Sequence, residues 1–431
     1  MTTVSRQLLF VLMACVATVE AVAQEIPGSF SEAPALAALV ERGELPPVSE
    51  RLPDEPLVVT PYESIGRYGG SWLRMMKGTS DFHAYGRIVY YQMLRWAPNP
   101  RDGLVAGLVK TWVYSDGGKT LTLRKGLRWS DGHPFSTDDI MFWWERVAND
   151  RNLTPKMHRE WSPGGEAMTM EQVDELTVVL RFAVPYPMAV QYLAFKGHQW
   201  PLIFERMGFF APKHYLEPYL PGPTRSGDPG ARASYALFEE KASDYNTERP
   251  VMSAWRVTEW EPGDHLTAER NPYYWKVDPA GNQLPYLDSV VMEIFLNPET
   301  LTFRAVSGVL PMQLRHFSVK DIDLLSEFGE RRGFRIMRFE STSRNAVMLN
   351  LQYPEDDVLR RLFMDRRLRI ALSHAIDREM ICKLCYRGLA SPGRVGSARD
   401  VSRVCRSSGI ARSLLVRSRK GFGPSGRDGI V

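Results

Sequence analysis

The residue types best suited to chemistry in this chain are four cysteines and eight histidines, and their spacing supports little of it. Cys382-Lys383-Leu384-Cys385 has the C-x-x-C spacing used for dithiol redox chemistry or for half of a zinc site. A second ligand pair at zinc spacing is missing from the sequence, and the pair falls where a helix runs out of Ala371 to Ile381. Two thiols on a helix face are therefore the plainer reading. The histidines, at positions 83, 133, 158, 198, 214, 265, 316 and 374, sit in unrelated contexts. The chain has no nucleophile elbow, no H-E-x-x-H pair and no phosphate loop, and Tyr68-Gly69-Gly70 is too short to cradle a phosphate. The expectation is a protein that is not an enzyme and carries no metal or cofactor. A secreted hydrolase is kept as an alternative, although the catalytic pair it needs cannot be found.

The elements around these positions read as a scaffold. Trp112 and Tyr114 alternate with their neighbours before Asp116-Gly117-Gly118, and Leu121 and Leu123 alternate with Thr122 and Arg124 after it, a period-two pattern about a glycine turn. Ser136-Thr137-Asp138-Asp139 then precedes Ile140-Met141-Phe142-Trp143-Trp144, which predicts a capped helix with acidic residues in its first turn. Trp129 and Phe135 are placed to close a small core between hairpin and helix. Strands are expected at Tyr68 to Met75, Thr177 to Phe182 and Ala346 to Leu351, and a helix at Arg87 to Arg95. Leu368, Leu372, Ala375, Ile376 and Met380 recur mostly at three- and four-residue steps, predicting one long helix from Asp365 to Cys385. The arginines on its other faces read as a solvated surface.

Quoted in order, several segments resemble the family 5 extracellular solute-binding proteins, the peptide-binding components of bacterial ABC importers. They are Leu108-Val109-Lys110-Thr111-Trp112, Asp116-Gly117-Gly118-Lys119-Thr120, Trp129-Ser130-Asp131-Gly132, Ala211-Pro212-Lys213-His214-Tyr215, and Glu269-Arg270-Asn271-Pro272-Tyr273-Tyr274-Trp275. Asn282-Gln283-Leu284-Pro285-Tyr286-Leu287-Asp288 follows, then Asp365-Arg366-Arg367-Leu368 through Ala375-Ile376-Asp377-Arg378. The resemblance runs over about residues 67–389. It implies an α/β, two-lobed periplasmic-binding-protein fold of type II with an extra small subdomain and an incomplete second lobe. It also implies capture of peptides for transport, with the permease of an ABC importer as partner and a monomeric state. An oligosaccharide-binding member of the same family is the main alternative, and a non-functional truncated fragment is another.

By the same resemblance the loop Gly78-Thr79-Ser80-Asp81 lies where the family places a ligand-facing hydroxyl, so Thr79 and Ser80 are candidate ligand contacts. Arg344 and Asn345, opening the expected second-lobe strand, are the other two candidates. The chain departs from the pattern at Gly308-Val309-Leu310-Pro311, where the family carries Gly-Glu-x-Asp. The expected domains are a signal peptide over 1–23, lobe I over 24–94 and 186–295, a hairpin–helix subdomain over 95–185, and part of lobe II over 296–390. Residues 391–431 form an aberrant basic tail.

Two further features bear on location. Arg6 followed by Leu8 to Ala17 and then Ala21-Val22-Ala23 has the form of an export signal, predicting a periplasmic protein. Leu12-Met13-Ala14-Cys15 resembles a lipoprotein box, making Cys15 a candidate lipidation site. The whole chain carries +4, but its last 41 residues hold eight Arg, one Lys and two Asp, a net +7 that leaves −3 for the rest. All 11 Trp lie at or before Trp275. That abrupt change reads as a frameshifted or truncated continuation with too little apolar surface to order itself. Phe422 is its one aromatic side chain, so no stacking platform accompanies the charge and no nucleic-acid partner is expected.

Overall fold

The computed structural model describes residues 25–81, 88, 91–99, 102–115, 118–194, 209–221, 235–337 and 347–390. The export-signal and tail readings, Cys15, Arg344 and Asn345 lie outside them. The chain divides into two compact units, Met1–His316 and Phe317–Val431. The fold is mixed α/β.

Among the described residues the first unit carries twelve strands. They are β1 (Leu57–Val58), β2 (Ser71–Lys77), β3 (Leu94–Trp96), β4 (Leu104–Ala106), β5 (Val109–Ser115), β6 (Gly118–Leu123), β7 (Thr169–Gln172), β8 (Thr177–Arg181), β9 (Trp255–Glu261), β10 (His265–Arg270), β11 (Lys276–Val277) and β12 (Ser289–Phe295). One sheet has the order β2-β12-β10-β9. Its β2 and β12 run parallel in register from Ser71↔Ser289 to Lys77↔Phe295, and its other pairs are antiparallel. Val290 and Met292 of β12, Leu266 and Ala268 of β10 and Met76 of β2 fill one core. Three successive residues of β2, Arg74, Met75 and Met76, are buried, as expected of a strand covered on both faces.

The second sheet is antiparallel with the order β5-β6-β8-β7. The expected hairpin is present: Trp112 pairs with Leu121 and Ser115 with Gly118. The helix Thr137–Phe142 begins as its sequence requires. Ser136 Oγ accepts from the Asp138 N–H at 3.2 Å, and Asp139 Oδ2 accepts from the Ser136 N–H at 3.2 Å. Trp129 meets Phe135 edge to face at 5.5 Å.

Three local expectations are corrected. The helix expected over Arg87 to Arg95 does not reach its end: Ile88 is helical, but Leu94–Trp96 forms β3, paired with β4. The Met93 carbonyl accepts from the Val109 N–H at 3.0 Å, so the backbone there is committed to its neighbours in space. The strand expected at Ala346 to Leu351 is absent over 347–350, where Val347 and Met348 are exposed. Asn350 instead starts a turn, its side chain accepting from Gln352 N–H at 3.1 Å. The single helix expected from Asp365 to Cys385 is two, Arg366–Ala375 and Arg378–Tyr386. Asp377 turns extended and caps the second, accepting from the Met380 N–H at 2.8 Å. The apolar stripe read across the break therefore does not form one continuous face.

At the β9–β10 turn, His265 pairs with Asp264 at 2.8 Å and Glu259 at 3.2 Å. The hydrogen bond to Asp264, then that to Glu259, raises the imidazole above its usual range. A raised imidazole stabilises the fold fully below the unfolded-state value of about 6.5, and that contribution fades as pH rises through the folded value. The melting-temperature advantage of the wild type over His265→Gln is thus expected to shrink from about pH 6 to about pH 9, read by differential scanning fluorimetry. An advantage that grows over that window would contradict the pairing.

Candidate functional site

The strands β2 and β12 end side by side, and in open sheets of parallel strands the carboxyl ends are where ligands are met. The loop leaving β2 is Gly78-Thr79-Ser80-Asp81. Gly78 takes φ +68, a left-handed conformation that costs a residue with Cβ, and its N–H donates to the Phe295 carbonyl at 3.2 Å. The turn leaves Thr79 and Ser80 exposed and Asp81 buried.

Asp81 anchors the turn. Its Oδ2 accepts from the Lys77 N–H at 3.0 Å and also meets His316 Nε2 in an ion pair. His316 sits at φ +72, unusual for a residue with Cβ, and its ring packs edge-on to Phe295 at 5.7 Å. From the other side Tyr245 Oη donates to the Thr79 carbonyl at 2.6 Å, while its ring stacks on Trp260 at 4.1 Å. The two hydroxyls are thus displayed on a backbone held at three points.

The open edge of β2 is also covered. Gln313 accepts from the Met75 N–H at 3.1 Å and donates to the Met75 carbonyl at 2.9 Å, so one side-chain amide replaces a pairing strand. Trp72 Nε1 donates to the Met312 carbonyl at 3.1 Å. This segment directly follows Gly308-Val309-Leu310-Pro311, the place where the chain departs from the family's acidic pattern.

Of the candidates read from sequence, Thr79 and Ser80 come together on this loop, and Arg344 and Asn345 lie outside the described residues. Tyr245, Trp260, Gln313 and His316 were not singled out as parts of this loop. Nothing local marks them, since Tyr245 is 166 positions and His316 is 235 positions from its partner. Cys382 and Cys385 are free thiols on the helix Arg378–Tyr386. Among the described residues no group of three His, Cys, Asp or Glu could hold a metal ion. His133 and His214 do meet, their rings stacked at 3.8 Å, with His214 Nε2 on Asp131 Oδ2 at 2.8 Å. This pairing ties the Trp129-Ser130-Asp131-Gly132 turn to the Ala211-to-Tyr215 segment.

The model of the bacterial extracellular solute-binding proteins, family 5, matches residues 103–401. The chain belongs to that family. Among family 5 relatives, a periplasmic alpha-galactoside-binding protein of Rhizobium meliloti (strain 1021) is 32% identical over 272 residues, covering 58% of this chain and 37% of its own length. A solved oligopeptide-binding protein OppA is similar at 34% identity with a TM-score of 0.69, over 87% of this chain and 60% of that one. The periplasmic binding protein MelB of Agrobacterium fabrum C58, solved with stachyose, is similar at 25% identity and a TM-score of 0.64, over 85% of this chain and 57% of that one. The chain therefore spans less than two thirds of the length of each of these proteins. Among the described residues no helix is long and apolar enough to cross a membrane.

Proposed function

We propose that this family 5 chain is the substrate-capturing component of an ABC importer in the periplasm, taking peptides and passing them to a membrane permease. The reading rests on membership of the family and on the likeness to OppA over 87% of the chain. Its catalytic role is nil: it binds and releases. The export signal read at residues 1–23 supports the location, and a single polypeptide acting as a monomer suits delivery to a permease. Thr79, Ser80, Arg344 and Asn345 are the proposed ligand contacts. Exposed hydroxyls on an anchored backbone suit peptide amides, directly or through water.

A second reading is favoured by two specific likenesses. The Rhizobium relative is named for alpha-galactosides and the MelB structure holds stachyose. Hydroxyls at Thr79 and Ser80 would serve a sugar equally well, so calorimetry on the full chain must choose. Heat of binding with tri-alanine and none with stachyose supports the peptide reading. The converse supports the oligosaccharide reading, and silence with both overturns capture by this chain.

The loop itself gives an expected outcome. Thr79→Ala with Ser80→Ala is expected to weaken the binding ligand about tenfold, about 1.4 kcal/mol, while leaving the melting temperature within about 1 °C, because both side chains are exposed. Unchanged affinity would remove the two hydroxyls from the site.

A further inference from the structure

The lysine of β11, Lys276, is the most unusual charged group in the first unit. It is only 5% exposed, and no hydrogen bond or ion pair joins its amine to another described residue. Aromatic faces surround it instead: Nζ lies 4.7 Å from the centre of the Tyr91 ring, 5.2 Å from Trp275 and 5.6 Å from Tyr274. Such faces stabilise a cation, but a buried ammonium ordinarily also has an acid beside it.

The neighbouring charges are of the wrong sign for that. Arg95 and Arg124 are near enough to oppose the lysine's charge, which burial already disfavours, and together these hold the amine well below its usual range. The Arg124 guanidinium is 5.8 Å from the Trp275 ring. It is buried and donates from Nε to the Gly107 carbonyl at 2.9 Å and from Nη1 to the Glu55 carbonyl at 3.0 Å. Glu55, whose charge reaches Arg124, spends its carboxylate on Lys110 at 2.7 Å. Two more donors at this place are buried, the Tyr91 hydroxyl beside Arg95 and Trp275 Nε1 with no hydrogen-bond partner. Lone buried donors are rare because each costs about 1–3 kcal/mol.

Three basic side chains and an orphaned indole N–H, with the nearby Glu55 carboxylate turned to Lys110, have the composition of an anion pocket. We propose that a small inorganic anion of the chloride class binds beside Lys276, held by its ammonium with Arg95, Arg124, Tyr91 Oη and Trp275 Nε1, and fastens β11 and the Tyr91 segment to the first unit. The site is separate from the Thr79–Ser80 loop, so it stands or falls independently of the transport reading.

The test is the melting temperature of the full chain in sodium chloride against sodium gluconate, a bulky anion, at equal ionic strength. Chloride is expected to raise it by several degrees in the wild type and not in Lys276→Met, which keeps the side chain's length without its charge. Equal melting temperatures of the wild type in the two salts would overturn the proposal, as would an undiminished chloride response in Lys276→Met. Should the variant fail to fold, crystals of the wild type grown in sodium bromide decide. An anomalous bromide peak in contact with Lys276 Nζ supports the site, and no peak there refutes it.

Discussion

Trp129→Ala is expected to cost about 3–5 kcal/mol, enough to unfold much of a marginally stable domain. The indole is 2% exposed and packs edge to face on Phe135 at 5.5 Å and Phe210 at 5.8 Å. Its truncation leaves a cavity between the second sheet and the capped helix. It also removes a donor, since Trp129 Nε1 bonds Asp139 Oδ2 at 3.1 Å. Asp139 is buried, and burial holds its carboxyl above the usual range even though the Lys213, Trp129 and Ser136 N–H groups support its charge. Trp129→Phe separates the two effects, keeping most of the volume and losing the donor. A raised carboxyl pKa means its contribution is fullest below the unfolded value and falls as pH climbs through the folded one. Losing the indole N–H pushes the folded value further up, so Trp129→Phe is expected to be nearer the wild type at about pH 4 than at about pH 8. Urea denaturation at the two values reads this. Equal deficits at both would mean that the indole contributes volume alone.

Arg51→Met is expected to be of the same size, for an electrostatic reason. Arg51 is fully buried at the end of the short helix Val48–Arg51. Its Nε donates to the Pro46 carbonyl at 2.9 Å and its Nη1 to Gln283 Oε1 at 3.1 Å, while further bonds reach the Pro272 carbonyl and the carboxylate of Glu32. One side chain thereby joins the N-terminal arm to the Asn271-to-Gln283 loop. Burial lowers the guanidinium's pKa, and the neighbouring Glu32 opposes that. Removing the cation leaves Glu32 largely enclosed and unpaired, a loss of about 3–5 kcal/mol. The double change Arg51→Met with Glu32→Leu is expected to recover part of it, since no lone charge then remains. A denaturation midpoint for Arg51→Met within error of the wild type would show that the arm is not tied down here.

What the sequence made legible were features whose causes lie within a few residues. The β5–β6 hairpin follows from alternation about a glycine turn, and the helix at Thr137 from Ser136 and Asp139. The order of the family segments along the chain points to the fold. Other features depend on partners far along the chain. Leu94 becomes a strand because β4 is beside it, and Ile376-Asp377 breaks a helix because the aspartate bonds forward to Met380. At the candidate site the exposed hydroxyls of Thr79 and Ser80 were reached by family likeness. Their supports, Tyr245 and His316, were not, since periodicity carries no trace of a contact between distant segments. Lys276 had no sequence signal either: a lysine after Tyr274-Trp275 looks like any surface cation until the fold closes over it.

The parallel pairing of β2 with β12 has a bearing on how the molecule is made. Ser71 and Ser289, 218 positions apart in the chain, touch with their hydroxyls at 2.7 Å. A ribosome adding about 5–20 residues each second needs on the order of ten seconds or more to cover that distance. Throughout that interval the first long strand has no mate on one side, and its apolar residues await a lid that does not yet exist. Completion of this sheet is therefore a late event in biogenesis, and a nascent chain arrested before Phe295 should be far more easily digested by protease around Trp72 to Met76 than one arrested after it.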